Sequence, residues 1–106
     1  DIEFENGCTD ADYLSGLDRA LNELATRVSA ELMIYLAGAD PFEGDRLGRL
    51  SLTKQGLMVR DQAVFEFARR RGLPVAVAMA GGYAQPIADT VDIHFQTVVC
   101  ALQNLT

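Results

Sequence analysis

Tyr35-Leu-Ala-Gly-Ala-Asp-Pro-Phe-Glu-Gly-Asp-Arg-Leu-Gly48 joins a short apolar run to glycines and a carboxylate, and its reading decides the fold. Leu32 to Leu36 has the length and composition of a buried strand. It runs through Gly38-Ala39 onto Asp40, where small residues let the backbone turn sharply. The pattern recurs downstream, where Val75-Ala-Val-Ala-Met79 empties into Ala80-Gly81-Gly82-Tyr83. Two strands thereby bring one acid and one phenol to the same edge of one sheet. That carboxyl edge is where open α/β folds place their ligands.

Working outward, Asp1 to Phe4 reads as a short strand and Glu5-Asn6-Gly7 as a turn. Thr9, with Asp12 three residues on, resembles a capping box. Tyr13, Leu14, Leu17, Leu21, Leu24 and Val28 then recur at helical spacing, which predicts a helix from about Asp10 to Ser29. The segment from Gly38 to Leu52 is long and glycine-punctuated, as functional loops are. Thr53 is placed to cap a second helix with Leu57, Val64, Phe65 and Ala68 on one face. Arg69, Arg70 and Arg71 close that helix, where cations complement its dipole. Gly72 is the expected left-handed stop, and Pro74 blocks continuation. Pro86 suits the first turn of a third helix, with Ile87, Val91, Phe95, Val98 and Leu102 as its stripe. The order β-α-β-α-β-α predicts an α/β fold with a parallel sheet and right-handed crossovers. Val75 to Met79 is apolar on both alternating faces, so both faces call for cover. Three helices supply that cover sparsely, and part of the sheet should stay bare unless another layer comes from elsewhere.

At 106 residues the chain holds one domain at most. Its composition, 49% hydrophobic and 23% charged, is that of a globular protein rather than a disordered one. A formal charge of −6, from 15 acids against 9 bases, disfavours nucleic acid as a partner. The apolar runs are too short for a helix that spans a membrane, and residues 1–20 do not read as a basic n-region with an apolar h-region. Cys8 and Cys100 are too few and too separated for a disulfide framework or a zinc knuckle. They read as reduced thiols of a cytoplasmic protein. The first residue is Asp1 rather than methionine, so the chain reads as processed or as a piece of something longer.

Several side chains are candidates for chemistry. Asp40, just past a strand end, suits a metal ligand or catalytic carboxylate, although turns attract aspartate for their own reasons and its position alone favours an N-cap or turn aspartate. Tyr83, at the matching place on the next strand, can stabilise an oxyanion or simply pack over the loop. Asp45 is expected to fix the loop through an ion pair with Arg46, and Glu43 to be solvated. Gly81-Gly82 at the entrance to the third helix offers a weak phosphate cradle. His94, the only histidine, lies at the edge of the third helix's stripe and reads as structural. A catalytic zinc takes three protein ligands plus water, and these residues do not supply a complete set.

The run Gly38-Ala-Asp-Pro-Phe-Glu-Gly-Asp-Arg-Leu-Gly48, then Leu50-Ser-Leu-Thr53, Gly56, Arg60-Asp61 and Gly81-Gly-Tyr83, resembles the C-terminal part of the zinc-dependent histone deacetylase superfamily. The likeness is to its class IV and bacterial deacetylase-like members. It implies a three-layer arginase/deacetylase fold, with residues 1–106 as the C-terminal portion of a deacetylase domain. It implies zinc (Zn) as cofactor, with Asp40 as one ligand, and Tyr83 as the group that polarises the acyl carbonyl. Gly82 is implied as channel wall and Leu47 as an apolar channel residue. The implied substrate is an acetylated lysine or small acylated amine. In that family the remaining ligands, from an Asp-x-His motif, and a His-His pair lie upstream of the matched stretch. The implied partner is therefore the missing N-terminal half of the same domain, or another chain, and the isolated chain should be inactive. Ala80 departs from the family, standing where many relatives have a third glycine. The competing reading is a non-catalytic binding or self-association module, using the Gly81-Gly82 entrance or an exposed sheet face.

Overall fold

The computed structural model describes residues 1–105; Thr106, the last residue of the expected domain span, lies outside them. The element order is α1 (Asp10–Arg27), β1 (Met33–Ala37), α2 (Lys54–Arg70), β2 (Val75–Met79) and α3 (Ile87–Gln103). β1 and β2 pair in parallel with Met33 opposite Val75 and Ala37 opposite Met79, the arrangement expected for strands joined through a crossover helix. The expected first strand does not form. Residues 1–5 have no strand to pair with among the described residues. Phe4 instead stacks on Tyr13 at 5.0 Å, and its ring fills the space that a side chain at Gly16 would need.

Local chemistry sets most of the boundaries. Thr53 Oγ1 accepts from Gly56 N at 3.0 Å and caps α2. Thr53 is itself gripped by Asp10, whose carboxylate accepts from its amide at 2.8 Å and its hydroxyl at 2.5 Å. That grip ties the starts of α1 and α2 together. Thr9 occupies the N-cap position of α1 without a side-chain capping bond, so the expected capping box is absent. α2 stops at Gly72, whose φ of +64° is the left-handed conformation glycine adopts without strain. Arg70 pairs with Glu66, and Arg71 lies over the Phe67 ring, so the arginine run is a helix terminus.

α2 is the centre of the helical layer. Leu57, Val64, Phe65 and Ala68 are buried on it as their spacing predicts. Phe65 meets the Tyr35 ring of β1 edge-on at 5.7 Å. α3 turns an unexpected face toward this layer. Thr90, Ile93, Thr97 and Cys100 are its buried residues, whereas Ile87, Val91, Phe95, Val98 and Leu102 are all exposed. Polar bonds set this rotation. Thr97 Oγ1 donates to Asp61 at 2.5 Å, and Lys54 bridges Asp89 and Asp92 at 2.7 and 2.9 Å. The expected apolar stripe is left without a cover.

The sheet is also covered on one side only. Tyr35 points toward α2, while Ile34 and Leu36 on the other face are 67% and 69% exposed. Ala76 and Ala78 share that bare face by register. The contiguous core, Ala39, Phe42, Leu52, Leu57, Ala84 and Ile93, lies instead beneath the loops that follow the strands. Among the described residues no helix is long and apolar enough to cross a membrane.

Candidate functional site

Both motif loops leave the same edge of the sheet, and backbone pairing continues past the strands to hold them together. Ala80 N donates to Ala37 O at 3.3 Å and Ala39 N to Gly81 O at 2.6 Å. The loop after β1 then closes on itself. Phe42 bridges Leu52, and Glu43 N donates to Leu52 O at 2.8 Å. Phe42 and Leu52 are buried under it, so this long loop is a packed unit rather than a mobile one. Asp40 is exposed on its surface. A β-carbon at Gly81 would lie 3.5 Å from the Asp40 carboxylate, which therefore rests against the second motif. A β-carbon at Gly48 would come 2.0 Å from Asp40 O. Only glycine permits that crossing, and the crossing brings Leu47 back toward Asp40.

Asp45 ties the two loops together. Its Oδ1 accepts from Leu47 N at 2.9 Å and Gly48 N at 2.8 Å. Its Oδ2 accepts from Tyr83 N at 2.6 Å. Arg46 N donates to Tyr83 O at 3.3 Å beside it. Burial pushes the Asp45 carboxyl up, but the amides of Tyr83, Gly48 and Leu47, helped by the charge of Arg46, outweigh it and hold the group below the usual aspartate range. The expected ion pair between Asp45 and the Arg46 side chain is not found among the described residues. The loop is fixed through backbone amides, which offer a buried carboxylate three donors at no cost in side-chain entropy. A signal for this was present in the sequence: an aspartate two and three residues ahead of Leu47-Gly48 is an Asx-turn pattern.

Tyr83 is about half exposed and Leu47 is 70% exposed. Both stand on the surface of the assembled loops, with Asp40. Gly82 differs: a β-carbon there would lie 2.6 Å from Thr90 Cγ2 and 3.0 Å from Ala39 Cβ. Its bare side faces the interior, where Thr90 Oγ1 accepts from Ala84 N at 3.2 Å. Gly82 thus lets β2's loop lie flat on α3 and on the first motif.

Other candidates stand apart. Asp92-Ile93-His94 spells Asp-x-His, but residues two apart on a helix point to different sides. Asp92 is paired with Lys54, and His94 is half-buried with no partner for Nδ1 among the described residues. Cys8 and Cys100 are both free thiols. Burial, with Asp12 for Cys8 and Asp61 for Cys100, pushes both thiols up, away from thiolate chemistry. A groove between α1 and the end of α2, reaching Met33 and Leu73, lies at the opposite ends of the strands from Asp40.

As a metal site the arrangement is partial. Asp40 offers an exposed oxygen ligand of the kind zinc accepts. Among the described residues no group of three His, Cys, Asp or Glu side chains lies close enough to hold an ion. The residues present fit one ligand of a zinc site.

The histone deacetylase domain family matches residues 1–98. Histone deacetylase 2 of Arabidopsis thaliana is 39% identical over 95 residues, covering 86% of this chain and 24% of its own. An uncharacterised protein of Picosynechococcus sp. is 39% identical over 94 residues, 89% of this chain and 31% of its own. The crystal structure of an HDAC homolog complexed with SAHA superposes with a TM-score of 0.72 at 20% identity, over 99% of this chain and 30% of that one. Acetylpolyamine aminohydrolase from Burkholderia pseudomallei superposes at 0.69 with 17% identity, over 98% of this chain and 27% of that one. The structural likeness shows the arginase/deacetylase fold. The chain spans about a quarter to a third of the length of these relatives.

Proposed function

Because this chain belongs to the histone deacetylase family, we propose that it is the C-terminal portion of a zinc-dependent amidohydrolase domain. The whole protein removes acetyl or other acyl groups from lysine or a related amine. The observation that supports this reading is the pairing of the loops that carry Asp40 and Tyr83 at one edge of a parallel sheet, with Asp45 holding the second loop to the first. The substrate class is supported by two relatives in structure, one an HDAC homolog complexed with SAHA and the other an acetylpolyamine aminohydrolase.

In this reading Asp40 supplies one zinc ligand. Bound zinc contributes a Lewis acid and a water whose pKa is lowered toward ~7. Tyr83 donates its phenolic hydrogen bond to the substrate carbonyl oxygen as negative charge develops there. Removing one such donor costs roughly a hundred- to a thousand-fold in turnover. Leu47 packs against the methylene stem of the acylated amine, and Gly82, whose bare side meets Thr90 and Ala39, contributes backbone to the channel wall by letting the Tyr83 loop lie flat. The missing N-terminal half of the same domain supplies the other ligands and the proton-transfer groups. It also covers Ile34 and Leu36 on the bare sheet face and the outer stripe of α3.

The test uses the full-length protein. Asp40→Ala should lose zinc and turnover together, measured by metal analysis and by acetate release from acetyl-lysine peptide and acetylated polyamine. Tyr83→Phe should retain zinc and lose at least a hundredfold in kcat. Wild-type turnover in Asp40→Ala would refute the assignment.

A further inference from the structure

α2 carries two adjacent charges, Arg60 and Asp61, that are 4% and 1% exposed. An ion pair buried this completely carries a desolvation cost that apolar side chains of similar volume would avoid. Its geometry shows what it does. Arg60 Nε and Nη2 both donate to Asp61 Oδ1, at 3.0 and 2.9 Å. The Tyr35 hydroxyl donates to the same oxygen, and Thr97 Oγ1 donates to Asp61 Oδ2 at 2.5 Å. The carboxylate is thus held from β1, α2 and α3 at once. The third nitrogen of Arg60, Nη1, donates to Gly38 O at 2.6 Å. Gly38 stands two residues before Asp40, at the point where the chain leaves β1.

We propose that Arg60 is a positioning residue, which fixes the Gly38-Ala39-Asp40 turn and so the direction of the Asp40 carboxylate. The inference rests on the reading of Asp40 as a zinc ligand. A guanidinium suits the task because its rigid fork spends two donors on Asp61 while a third reaches the carbonyl. The carboxylate that anchors the fork is itself held by Tyr35 and Thr97, so the Gly38 carbonyl is tied through Arg60 and Asp61 to three secondary-structure elements. Ala39 N on Gly81 O holds the next peptide, leaving the turn with little freedom before Asp40. Lysine in place of Arg60 keeps the charge but cannot serve Asp61 and Gly38 O in this geometry.

The test compares two variants of the full-length protein by zinc affinity, from chelator competition, and by Tm. Thr97→Val removes one bond to Asp61 and leaves Arg60 on Gly38 O. It should lower Tm with zinc affinity within about twofold of wild type. Arg60→Lys should weaken zinc binding about tenfold, at the lower end of what loss of a ligand-orienting partner costs. That loss should persist when both variants are compared at the same interval below their own Tm. Unchanged zinc affinity in folded Arg60→Lys overturns the inference, as does a loss no larger than that of an equally destabilised Thr97→Val. If Arg60→Lys does not fold, Asp61→Asn takes its place: it removes the charge that orients the guanidinium. The same tenfold loss is expected and unchanged affinity is again fatal. A wild-type protein without zinc would instead defeat the functional reading itself.

Discussion

Replacing Asp45 by asparagine changes one atom type at the joint between the two motif loops. The carboxylate serves three amides, those of Leu47 and Gly48 through Oδ1 and of Tyr83 through Oδ2. An asparagine can keep its oxygen toward Leu47 and Gly48, which turns its NH2 group against the Tyr83 N–H. The flipped amide would oppose two donors instead of one, so the first orientation is preferred. The net loss is one charge-assisted hydrogen bond, about 1.5–3 kcal/mol. The bond lost is the one that holds the Tyr83 backbone. If that energy appears as a shift between attached and detached positions of the Tyr83 loop, about 2 kcal/mol lowers the attached-to-detached ratio roughly thirtyfold. The assay is kcat for acyl release by the full-length protein, with zinc content measured in parallel. Asp45→Asn should keep its zinc and lose severalfold in kcat, with about thirtyfold as the ceiling, since the loss equals the full change in ratio only where the detached position dominates. Turnover within twofold of wild type, in a folded protein, would refute the claim that Asp45 positions Tyr83.

The same substitution carries a pH signature. Asp45 is held below its usual range in the folded protein, because the amide donors outweigh burial. A carboxylate depressed on folding contributes stability that is present above its unfolded value, near ~3.9, and lost as pH falls through the folded one. The stability gap between wild type and Asp45→Asn should therefore be full at pH 6 and narrow as acid is added below about pH 4. Urea titrations at the two ends measure it. An equal gap at both ends would mean that the negative charge is not what binds the loops.

Three further outcomes follow from the packing and the bare faces. Gly82→Ala should destabilise the protein by about 1–3 kcal/mol, as overpacking does, since its β-carbon would meet Thr90 Cγ2 at 2.6 Å. Adding Thr90→Ser, which deletes that methyl and keeps the hydroxyl that accepts from Ala84 N, should restore most of the loss in urea unfolding; failure to restore would place the strain elsewhere. The isolated 106-residue chain should release no acetate and retain no tightly bound zinc, and chelator-sensitive turnover by the purified chain would overturn the half-site reading. That chain should also self-associate in sedimentation experiments through Ile34, Leu36 and the outer stripe of α3, and Leu36→Lys with Phe95→Lys should return it to a monomer.

The parts of the fold legible in the sequence were those set by local chemistry. β2 occupies Val75–Met79 as read, and α2 runs from the Thr53 cap to the arginines before Gly72. The errors arose where tertiary partners decide. Asp1 to Phe4 has strand-like composition but no strand beside it, and the stacking of Phe4 on Tyr13 takes its place. α3 has an apolar stripe that periodicity identifies correctly, yet the helix is rotated by Thr97 on Asp61 and by Lys54 on Asp89 and Asp92. Periodicity reports that a face wants burial, without reporting whether the covering partner belongs to the same chain. Asp40 and Tyr83 were legible as candidates because glycines after a strand leave a recognisable pattern. Asp45 was misread as the partner of Arg46: its bonds to the Leu47 and Gly48 amides follow a local Asx-turn pattern, but the amide of Tyr83, 38 residues away, carries no mark in the sequence.

Burial divides the surface of this chain unevenly between its outer faces and its motif loops. The sheet face and the outer side of α3 are bare, while Phe42, Leu52, Leu57, Ala84 and Ile93 pack directly beneath the motif loops. The bonds that set those loops, from Asp45 to Tyr83 and from Arg60 to Gly38, also lie wholly within these residues. The loops that carry Asp40 and Tyr83 are therefore organised by their own core, and under the proposed function they would meet the rest of the domain already folded. Preorganisation of this kind matters for a hydrogen-bond donor aimed at a developing oxyanion, because the donor gains its advantage over water by needing no rearrangement as charge appears. It also explains why the conformational burden falls on buried polar groups. Arg60 and Asp61 would be poor choices for stability alone, and Arg60 spends a hydrogen bond on the backbone that leads into Asp40, as Asp45 does on that of Tyr83.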